Sequence, residues 1–295
     1  MKNTIFEGTA TALITPFSSD GKDVDFNAFQ KLIDFQLENS VDALVVAGTT
    51  GESPVLTREE KICLIRSAKY SCGSSTPVIA GTGSNNTIEA VKKSNDAEKE
   101  GVNGLLIVTP YYNKCNQDGL ISHYFYIADR VSTPIIVYNV PSRTGVTIKP
   151  ETYKALSEHK NIVAVKEASG DISEFSKAIA VAPELVFYSG NDDQTVSMMA
   201  YGAKGLISVV SNIIPGVVKR ITDSCLNGDY KSAFHLHKKH LKLMNSMFYD
   251  VNPIPVKSAC NMLFNVNNTV RLPLTDIKEK DEIIISETLK EYGLI

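Results

Sequence analysis

The chain has 295 residues, of which 43% are hydrophobic and 21% are charged, and its formal net charge is -3. This is the composition of an ordinary globular protein with a sizeable core. Proteins that bind nucleic acid usually carry a surplus of basic over acidic residues, which neutralises the phosphates they contact. Acidic residues slightly outnumber basic ones here, so we expect no nucleic-acid partner.

The sequence also argues against a membrane protein, a disulfide-stabilised protein and a metal-binding protein. Glu7 interrupts the segment where a secretory signal would be apolar, and no apolar run is long enough to span a bilayer, so we expect a cytoplasmic protein with no membrane association. The five cysteines are scattered without a Cys-x-x-Cys pair, so neither a disulfide framework nor a zinc site is predicted. The histidine-rich segment 235–240 lacks ligands at metal-binding spacing and is interpreted as a solvated basic helix face.

Short β-branched runs alternate with amphipathic helical patterns along the first two thirds of the chain. The predicted strands are residues 9–15, 43–47, 77–80, 104–108, 134–138, 162–166, 185–188 and 205–209. The predicted helices between them are residues 26–37, 59–70, 87–100, 120–130, 150–157, 173–180 and 194–201. Strands that alternate with helices form a parallel sheet through right-handed crossovers.

Eight such units fit a closed barrel better than an open sheet, which usually has fewer strands and a nucleotide-binding glycine turn after the first. After residue 209 the alternation stops, and the helical patterns 215–226, 230–249, 255–264 and 277–292 follow. The turn residues 227–229 mark the change. The sequence therefore predicts an α/β fold: a (β/α)8 TIM barrel over residues 1–225, which is the catalytic region, and a C-terminal helical appendage over residues 226–295.

In such a barrel the active site lies where the strands end. Lys166 ends the sixth predicted strand, Ile-Val-Ala-Val-Lys, which should be buried on both faces. Burial disfavours the protonated amine and can lower a lysine pKa by ~3–5 units, leaving a nucleophile able to attack a carbonyl at neutral pH. The alternative is a structural lysine that reaches solvent or pairs with an acid such as Glu167.

Other residues with useful chemistry follow neighbouring strands. Tyr138 ends the fifth strand and is a candidate proton shuttle, or an aromatic residue that caps the core. Thr49 and Thr50 lie between glycines, where a turn could hold a small carboxylate or simply precede a helix. Arg143 follows a proline turn and could clamp a carboxylate or lie on the surface.

Four ordered motifs carry a resemblance to a known family. They are Gly-Thr-Thr-Gly-Glu at 48–52, Thr-Pro-Tyr-Tyr-Asn at 109–113, Tyr-Asn-Val-Pro-Ser-Arg-Thr-Gly at 138–145 and Lys-Glu-Ala-Ser-Gly at 166–170. Together they resemble the dihydrodipicolinate synthase/N-acetylneuraminate lyase family over essentially the whole chain. The resemblance implies a lyase in which Lys166 forms an imine with pyruvate. The derived enamine then attacks L-aspartate 4-semialdehyde, in the diaminopimelate route to lysine.

The resemblance also implies roles for individual residues. Tyr138, Thr49 and Tyr112 would form a proton relay, with Tyr112 supplied by a neighbouring subunit of a homotetramer that is a dimer of dimers. The remaining implied residues bind substrate: Thr50 holds the pyruvate carboxylate, Arg143 receives the semialdehyde carboxylate, and Gly190 and Ile207 line the pocket. No metal or organic cofactor is implied, because the lysine itself provides the electron sink.

Two other functions remain open at this point. An aldolase of N-acetylneuraminate or 2-keto-3-deoxy sugar acids shares the lysine and the tyrosine. Such relatives generally lack an arginine in the segment after the tyrosine, where this chain has Arg143. A non-catalytic barrel that senses a keto acid would need neither a nucleophile nor a proton relay. The doubled Thr49-Thr50 agrees with the condensing enzyme.

The resemblance further implies a site for feedback inhibition by lysine, which Ser53, Asn85, Glu89 and Tyr111 would match. Sensitive members usually carry histidine where this chain has Arg58 or Lys61. Two added cations would repel the ammonium of an incoming lysine, so the sequence predicts weak or absent inhibition.

Overall fold

Eight parallel strands close into a barrel in the computed structural model, which describes Lys2 and residues 4–295. Each strand pairs with the next along the chain, and the first pairs with the last. The strands are β1 (Gly8–Ala12), β2 (Ala43–Val46), β3 (Val78–Gly81), β4 (Gly104–Val108), β5 (Ile135–Asn139), β6 (Ile162–Glu167), β7 (Val186–Ser189) and β8 (Gly205–Ser208). The predicted (β/α)8 barrel is confirmed.

Helices surround the barrel and continue beyond it. In chain order they are α1 (Phe26–Glu38), α2 (Arg58–Cys72), α3 (Thr87–Lys99), α4 (Gln117–Ala128), α5 (Pro141–Thr144), α6 (Pro150–Ser157), α7 (Ile172–Val181), α8 (Thr195–Ala200), α9 (Pro215–Leu226), α10 (Tyr230–Ser246), α11 (Ile254–Phe264) and α12 (Glu279–Glu291). The predicted boundary after residue 225 falls at the end of α9 and stays a prediction. No helix within the described ranges is long and apolar enough to cross a membrane.

Two of these helices begin at side-chain caps. Thr57 accepts a hydrogen bond from the Glu60 backbone N–H through its hydroxyl, and the Glu60 carboxylate accepts one from the Thr57 N–H, which starts α2. Asn86 accepts from the N–H groups of Ile88 and Glu89, which starts α3. Such caps stabilise a helix by ~1 kcal/mol each, so the starting points of α2 and α3 are set by local sequence.

Alternation along the strands decides which side chains fill the barrel. Tyr138 and Ala164 belong to the cluster inside the barrel, whereas Val165 belongs to the cluster between the sheet and the helices. Successive side chains of a strand point to opposite faces, so Lys166, two residues after Ala164, points into the barrel with Tyr138.

The amino-terminal end of the barrel is closed by an aromatic plug. Phe6 stacks on Tyr188 with ring centroids 4.2 Å apart and planes within 5° of parallel. The Tyr188 hydroxyl donates to the Phe6 carbonyl at 2.8 Å. Both rings are buried, so the barrel interior is packed around them.

A buried ion pair joins the barrel to the C-terminal region. The Lys257 ammonium, on α11, lies 2.6 Å from a Glu52 carboxylate oxygen, and both side chains are at most 1% exposed. Lys257 also donates to the Thr269 carbonyl, and the other Glu52 oxygen accepts from the Arg271 N–H. Glu52 follows Thr49 and Thr50 in the loop after β2, so these contacts hold that loop against the C-terminal helices.

The histidine-rich face of α10 is only partly solvated. His235 is exposed, but His237 and His240 are buried and each places a ring nitrogen near a carbonyl oxygen, that of Asp192 at 3.2 Å and that of Leu236 at 2.8 Å. The prediction of a solvated face is therefore wrong for two of the three histidines. His237 faces the loop after β7, whereas His240 stacks on Tyr292 with ring centroids 5.5 Å apart.

Candidate active site

Lys166 lies inside the carboxyl end of the barrel and is 5% exposed. Its ammonium nitrogen lies 4.5 Å from the centroid of the Tyr138 ring, on the neighbouring strand. Burial lowers the pKa of Lys166 to about 8; the charge of Asp192 opposes this shift and the charge of Arg143 adds to it. The side chain therefore has the burial and the weakened basicity expected of an amine nucleophile.

Glu167 does not pair with Lys166, as the structural alternative would require. It points to the other side of β6, where its carboxylate accepts hydrogen bonds from Asn139 (3.0 Å), the Tyr153 hydroxyl (2.6 Å) and the Ser169 N–H (2.7 Å). Within the described part of the chain no carboxylate lies within 4.0 Å of the Lys166 ammonium. Lys166 is thus neither a solvent-reaching lysine nor half of an ion pair, and that interpretation is wrong.

Tyr138 is directly opposite Lys166 in the register of β5 and β6. Burial raises the pKa of its hydroxyl, while the Arg143 charge and the nearby Thr49 side chain act in the opposite direction. The phenol is therefore protonated at neutral pH and available as a proton donor. Thr49 lies beside it as the partner through which a proton can pass.

A cavity of about 210 Å³ opens at this end of the barrel, and Thr49, Tyr138 and Arg143 line it. Thr50 is buried beside it and its hydroxyl accepts from the Asn252 side-chain amide at 3.0 Å. The Arg143 guanidinium donates to the Asn252 backbone carbonyl at 3.1 Å. Asn252 therefore links the two residues predicted to hold carboxylates, a connection that no sequence motif indicates.

Gly190 and Ile207 are not among the residues that line this cavity. A Cβ atom at Gly190 would lie 3.0 Å from Cε of Lys166 and 2.7 Å from Cβ of Ala168, so only glycine leaves the lysine side chain unobstructed. Ile207, on β8, is fully buried in the interior cluster that contains Tyr138. Both residues shape the surroundings of the amine rather than the cavity mouth.

Tyr112 is the one predicted site residue that stands apart from the others. Its side chain is 90% exposed, and its backbone φ of 70° lies in the left-handed region, which is uncommon for a residue other than glycine. Within a single chain it does not line the cavity that holds Tyr138 and Thr49. The structure thus brings Lys166, Tyr138 and Thr49 together but leaves Tyr112 outside.

Asp192 is a buried acid whose charge acts on Lys166, and the sequence interpretation did not single it out. It is buried and its carboxylate accepts from the Ser208 hydroxyl (2.5 Å) and from the N–H groups of Val209 (3.0 Å) and Val210 (3.1 Å). Burial raises its pKa, while those hydrogen bonds and the Lys166 charge lower it. The available signal was the polar run 189–193 after the seventh strand, but Asp192 and Asp193 are indistinguishable in it.

Residues 5–292 match the model of the dihydrodipicolinate synthetase family. The chain belongs to this family. It is 45% identical over 293 residues to a 4-hydroxy-tetrahydrodipicolinate synthase of Fervidobacterium nodosum, with 99% of this chain and 100% of that one covered. The resemblance drawn from the four motifs is confirmed, as is the prediction that the chain is an enzyme.

Solved structures of family members have the same architecture. The dihydrodipicolinate synthase of Thermotoga maritima is 40% identical and superposes with a TM-score of 0.96 over 99% of this chain and 100% of that one. A chloride-inhibited dihydrodipicolinate synthase from Acinetobacter baumannii, in complex with pyruvate, is 38% identical with a TM-score of 0.96 over the same shares of the two chains. The eight-stranded barrel with its C-terminal helices is therefore the family's fold.

Proposed function

We propose that this enzyme condenses pyruvate with L-aspartate 4-semialdehyde through a Schiff base on Lys166, which supplies the diaminopimelate route to lysine. The observation that carries the proposal is the buried Lys166 amine, with its pKa lowered to about 8, beside Tyr138 at the carboxyl end of the barrel. The pyruvate complex of the Acinetobacter baumannii relative supports pyruvate as the first substrate.

Imine formation follows from the state of the amine. At pH 7 a pKa of about 8 leaves roughly one amine in ten neutral, whereas the ordinary value of 10.5 would leave about one in 3,000. The neutral Lys166 nitrogen attacks the ketone carbon of pyruvate and forms a carbinolamine. Tyr138 donates a proton to the departing hydroxyl, water leaves, and the carbon–nitrogen double bond forms. In this proposal Thr50 holds the pyruvate carboxylate during these steps.

Carbon–carbon bond formation follows from the imine. Loss of a methyl proton gives the enamine, whose carbon attacks the aldehyde of the semialdehyde while Arg143 holds its carboxylate. The substrate's amino group then attacks the imine carbon, closing the ring and freeing Lys166. Because the protonated imine is itself the electron sink, this sequence of steps requires no metal or organic cofactor.

Tyr112 completes the proton relay from a neighbouring subunit in this proposal. Its 90% exposure and its left-handed backbone are consistent with a side chain held outward for a partner, since an exposed tyrosine in a strained conformation has no stabilising role in one chain. A dimer would then be the smallest active unit, and the homotetramer and the cytoplasmic location stay predictions.

Tyr138→Phe should lower kcat/KM for pyruvate by roughly 10²-fold or more, because the variant keeps the ring beside Lys166 but loses the proton donor. Steady-state kinetics with both substrates measures the loss. Tyr188→Phe is the matched control, since it removes a hydroxyl at the plugged end of the same barrel. Equal effects of the two substitutions would argue that Tyr138 acts only through packing.

The pH dependence of kcat/KM for pyruvate should report on Lys166. Below pH 8 the amine is mostly protonated, so we expect kcat/KM to rise about tenfold per pH unit and to level off near the Lys166 pKa of about 8. Burial keeps the Tyr138 pKa above its ordinary value of 10, so loss of the tyrosine proton does not lower kcat/KM in this pH range. A profile that is flat between about pH 6 and 8 would contradict a titrating amine.

Arg143→Ala should raise KM for the semialdehyde about 10- to 100-fold, the cost of a lost charged hydrogen bond. Pyruvate imine formation should slow by less, because the Lys166 pKa rises only by the minor contribution of the Arg143 charge. Kinetics with pyruvate plus semialdehyde, against pyruvate plus a sugar aldehyde, measures substrate choice in the same variant. Arg130→Ala, which removes an exposed arginine that does not line the cavity, is the control. Faster turnover of the sugar aldehyde by the unmodified enzyme would favour the aldolase alternative.

A further inference from the structure

The strands that carry Tyr138 and Lys166 have a second interacting pair on their outer face. In the register of β5 and β6, Asn139 lies opposite Glu167, one residue after the opposed pair Tyr138 and Lys166. Successive side chains of a strand point to opposite faces, so the first pair lies inside the barrel and the second lies outside it. The outer pair is buried as well, with Glu167 4% and Asn139 1% exposed.

The Glu167 carboxylate joins three segments of the chain through hydrogen bonds. The amide nitrogen of Asn139, on β5, lies 3.0 Å from each of its two oxygens. The hydroxyl of Tyr153, on α6, donates to one oxygen at 2.6 Å, and the Ser169 N–H, after β6, donates to the other at 2.7 Å. Burial and the Glu167 charge raise the pKa of Tyr153, so its hydroxyl stays a donor. Both oxygens are engaged, which fixes the orientation of the carboxylate.

The same two residues reach the loops on either side of the amine. The carboxamide oxygen of Asn139 accepts from the Ile148 N–H at 3.2 Å, which holds the end of the segment that contains Arg143. The backbone carbonyl of Glu167 accepts from the Gly190 N–H at 2.7 Å, after β7. Gly190 is the residue whose missing side chain leaves the catalytic amine unobstructed. The outer pair is therefore linked to the loops that follow β5 and β7.

A carboxylate is a costly side chain at this position. Within the ranges that the structure describes, no cationic side chain lies within 4.0 Å of the Glu167 oxygens. A buried charge that has hydrogen bonds but no counter-ion recovers only part of the free energy lost with its hydration. What such a network provides is rigidity, because a fully hydrogen-bonded group has one preferred arrangement. The rigid pair lies directly behind the two residues of the proposed chemistry.

We propose that Glu167 is a positioning residue, which holds Lys166 and Tyr138 in their mutual geometry through its hydrogen bonds to Asn139. This inference rests on the proposed function, because it concerns the two groups that form the pyruvate imine. Amine attack and proton transfer both depend on how the Lys166 nitrogen lies over the Tyr138 ring, now 4.5 Å from its centroid. A displacement of about 1 Å can lower such a rate ~10²-fold. Glu167 lies on the outer face, so it affects the rate of the reaction and not the binding of pyruvate.

The test is a double-mutant cycle of Glu167→Gln and Asn139→Asp. Both substitutions preserve shape, but the first places an NH₂ group against the Asn139 amide and the second places two carboxylates in contact. The double variant has one carboxylate and one amide again, in exchanged positions. Rapid quenching with borohydride at varied pyruvate concentration gives the maximum rate of imine formation and the half-saturating concentration.

We expect each single substitution to lower the maximum rate at least about tenfold and to change the half-saturating pyruvate concentration by less than about threefold. The double variant should be faster than both single variants, because the complementary contact is restored. A residue that only stabilised the fold would show neither this division between rate and binding nor this recovery.

Glu98→Gln is the matched control. One Glu98 carboxylate oxygen accepts from the Ser132 and Thr133 N–H groups, both at 2.7 Å, just before the amino end of β5. The substitution therefore disturbs a comparable carboxylate contact at the opposite end of the same strand. We expect its rate of imine formation to equal that of the unmodified enzyme.

The possible outcomes separate this inference from the proposed function. Equal losses in Glu98→Gln and Glu167→Gln, unchanged rates in both single variants of the cycle, or a double variant slower than both would overturn the positioning role. An unmodified enzyme that forms no pyruvyl adduct on Lys166 would contradict the proposed function instead. Melting temperatures above the assay temperature show that the variants are folded. If a single variant is unfolded, the double variant decides: a rate within about tenfold of the unmodified enzyme supports the inference, and a lower rate overturns it.

Discussion

Lys166→Met should abolish the condensation and at the same time make the fold more stable. The variant lacks the nucleophile for which no other group can substitute, so the loss in kcat/KM should exceed the ~10⁴-fold upper range of a lost proton donor. Methionine has a similar length and places no charge inside the barrel. The same substitution therefore removes the chemistry and the desolvation cost that the chemistry requires.

The gain in stability has a definite pH dependence. The pKa of Lys166 is about 8 in the folded protein and ordinarily 10.5, so between these values the unfolded chain binds more protons than the folded one. The unmodified enzyme therefore gains stability as pH rises from about 8 toward 10.5. Below pH 8 the full penalty applies, about 3 kcal/mol, and the advantage of the variant is largest there.

Urea unfolding of both proteins between pH 7 and 10, at one protein concentration, measures this difference. We expect the free energy of unfolding of Lys166→Met to exceed that of the unmodified enzyme at pH 7 and the difference to shrink at higher pH. A variant that is inactive and also less stable at pH 7 would show that the Lys166 side chain stabilises the fold, which contradicts a costly buried amine.

Lys257→Met should have the opposite effect on stability, although Lys257 is even more deeply buried than Lys166. Its ammonium is paired with Glu52, and removing one partner leaves a buried carboxylate without its counter-ion. Breaking a buried pair in this way typically costs about 3–5 kcal/mol. Because Glu52 also accepts from the Arg271 N–H, part of its charge remains compensated, so we expect a loss near the lower end of that range.

The double variant Glu52→Gln/Lys257→Met is the control for this prediction. It removes both charges, so its free energy of unfolding should recover much of what Lys257→Met loses. Urea unfolding of the single and double variants gives the coupling between the two residues. Additive losses in the double variant would contradict an energetic role for the pair.

Local pattern was enough to predict the barrel. Eight apolar runs separated by helical patterns have few alternative arrangements, and strand alternation then requires Lys166 and Tyr138 to point inward together. Boundaries were less accurate. Strand β1 was predicted to extend to residue 15 but ends at Ala12. Helix α10 was predicted to extend to residue 249 but ends at Ser246. The one-turn helix α5, which carries Arg143, was interpreted as a proline turn because four residues show no helical period.

Contacts between residues distant in sequence could not be predicted in this way. Glu52 and Lys257 are 205 residues apart, and neither position differs locally from an ordinary surface charge. Asn252 connects Thr50 with Arg143 from a third segment of the chain. The positions of these residues depend on how the C-terminal helices pack on the barrel, which hydrophobic period alone does not specify.

Borohydride reduction in the presence of pyruvate, followed by peptide mass mapping, tests the Schiff-base role of Lys166 most directly. Reduction fixes an imine as a stable secondary amine on the lysine that formed it. We expect a pyruvyl adduct on the peptide that contains Lys166, dependent on both reagents and missing from Lys166→Met. An unmodified Lys166 peptide, or an adduct on Lys257, Lys93 or another lysine instead, would contradict the proposed mechanism.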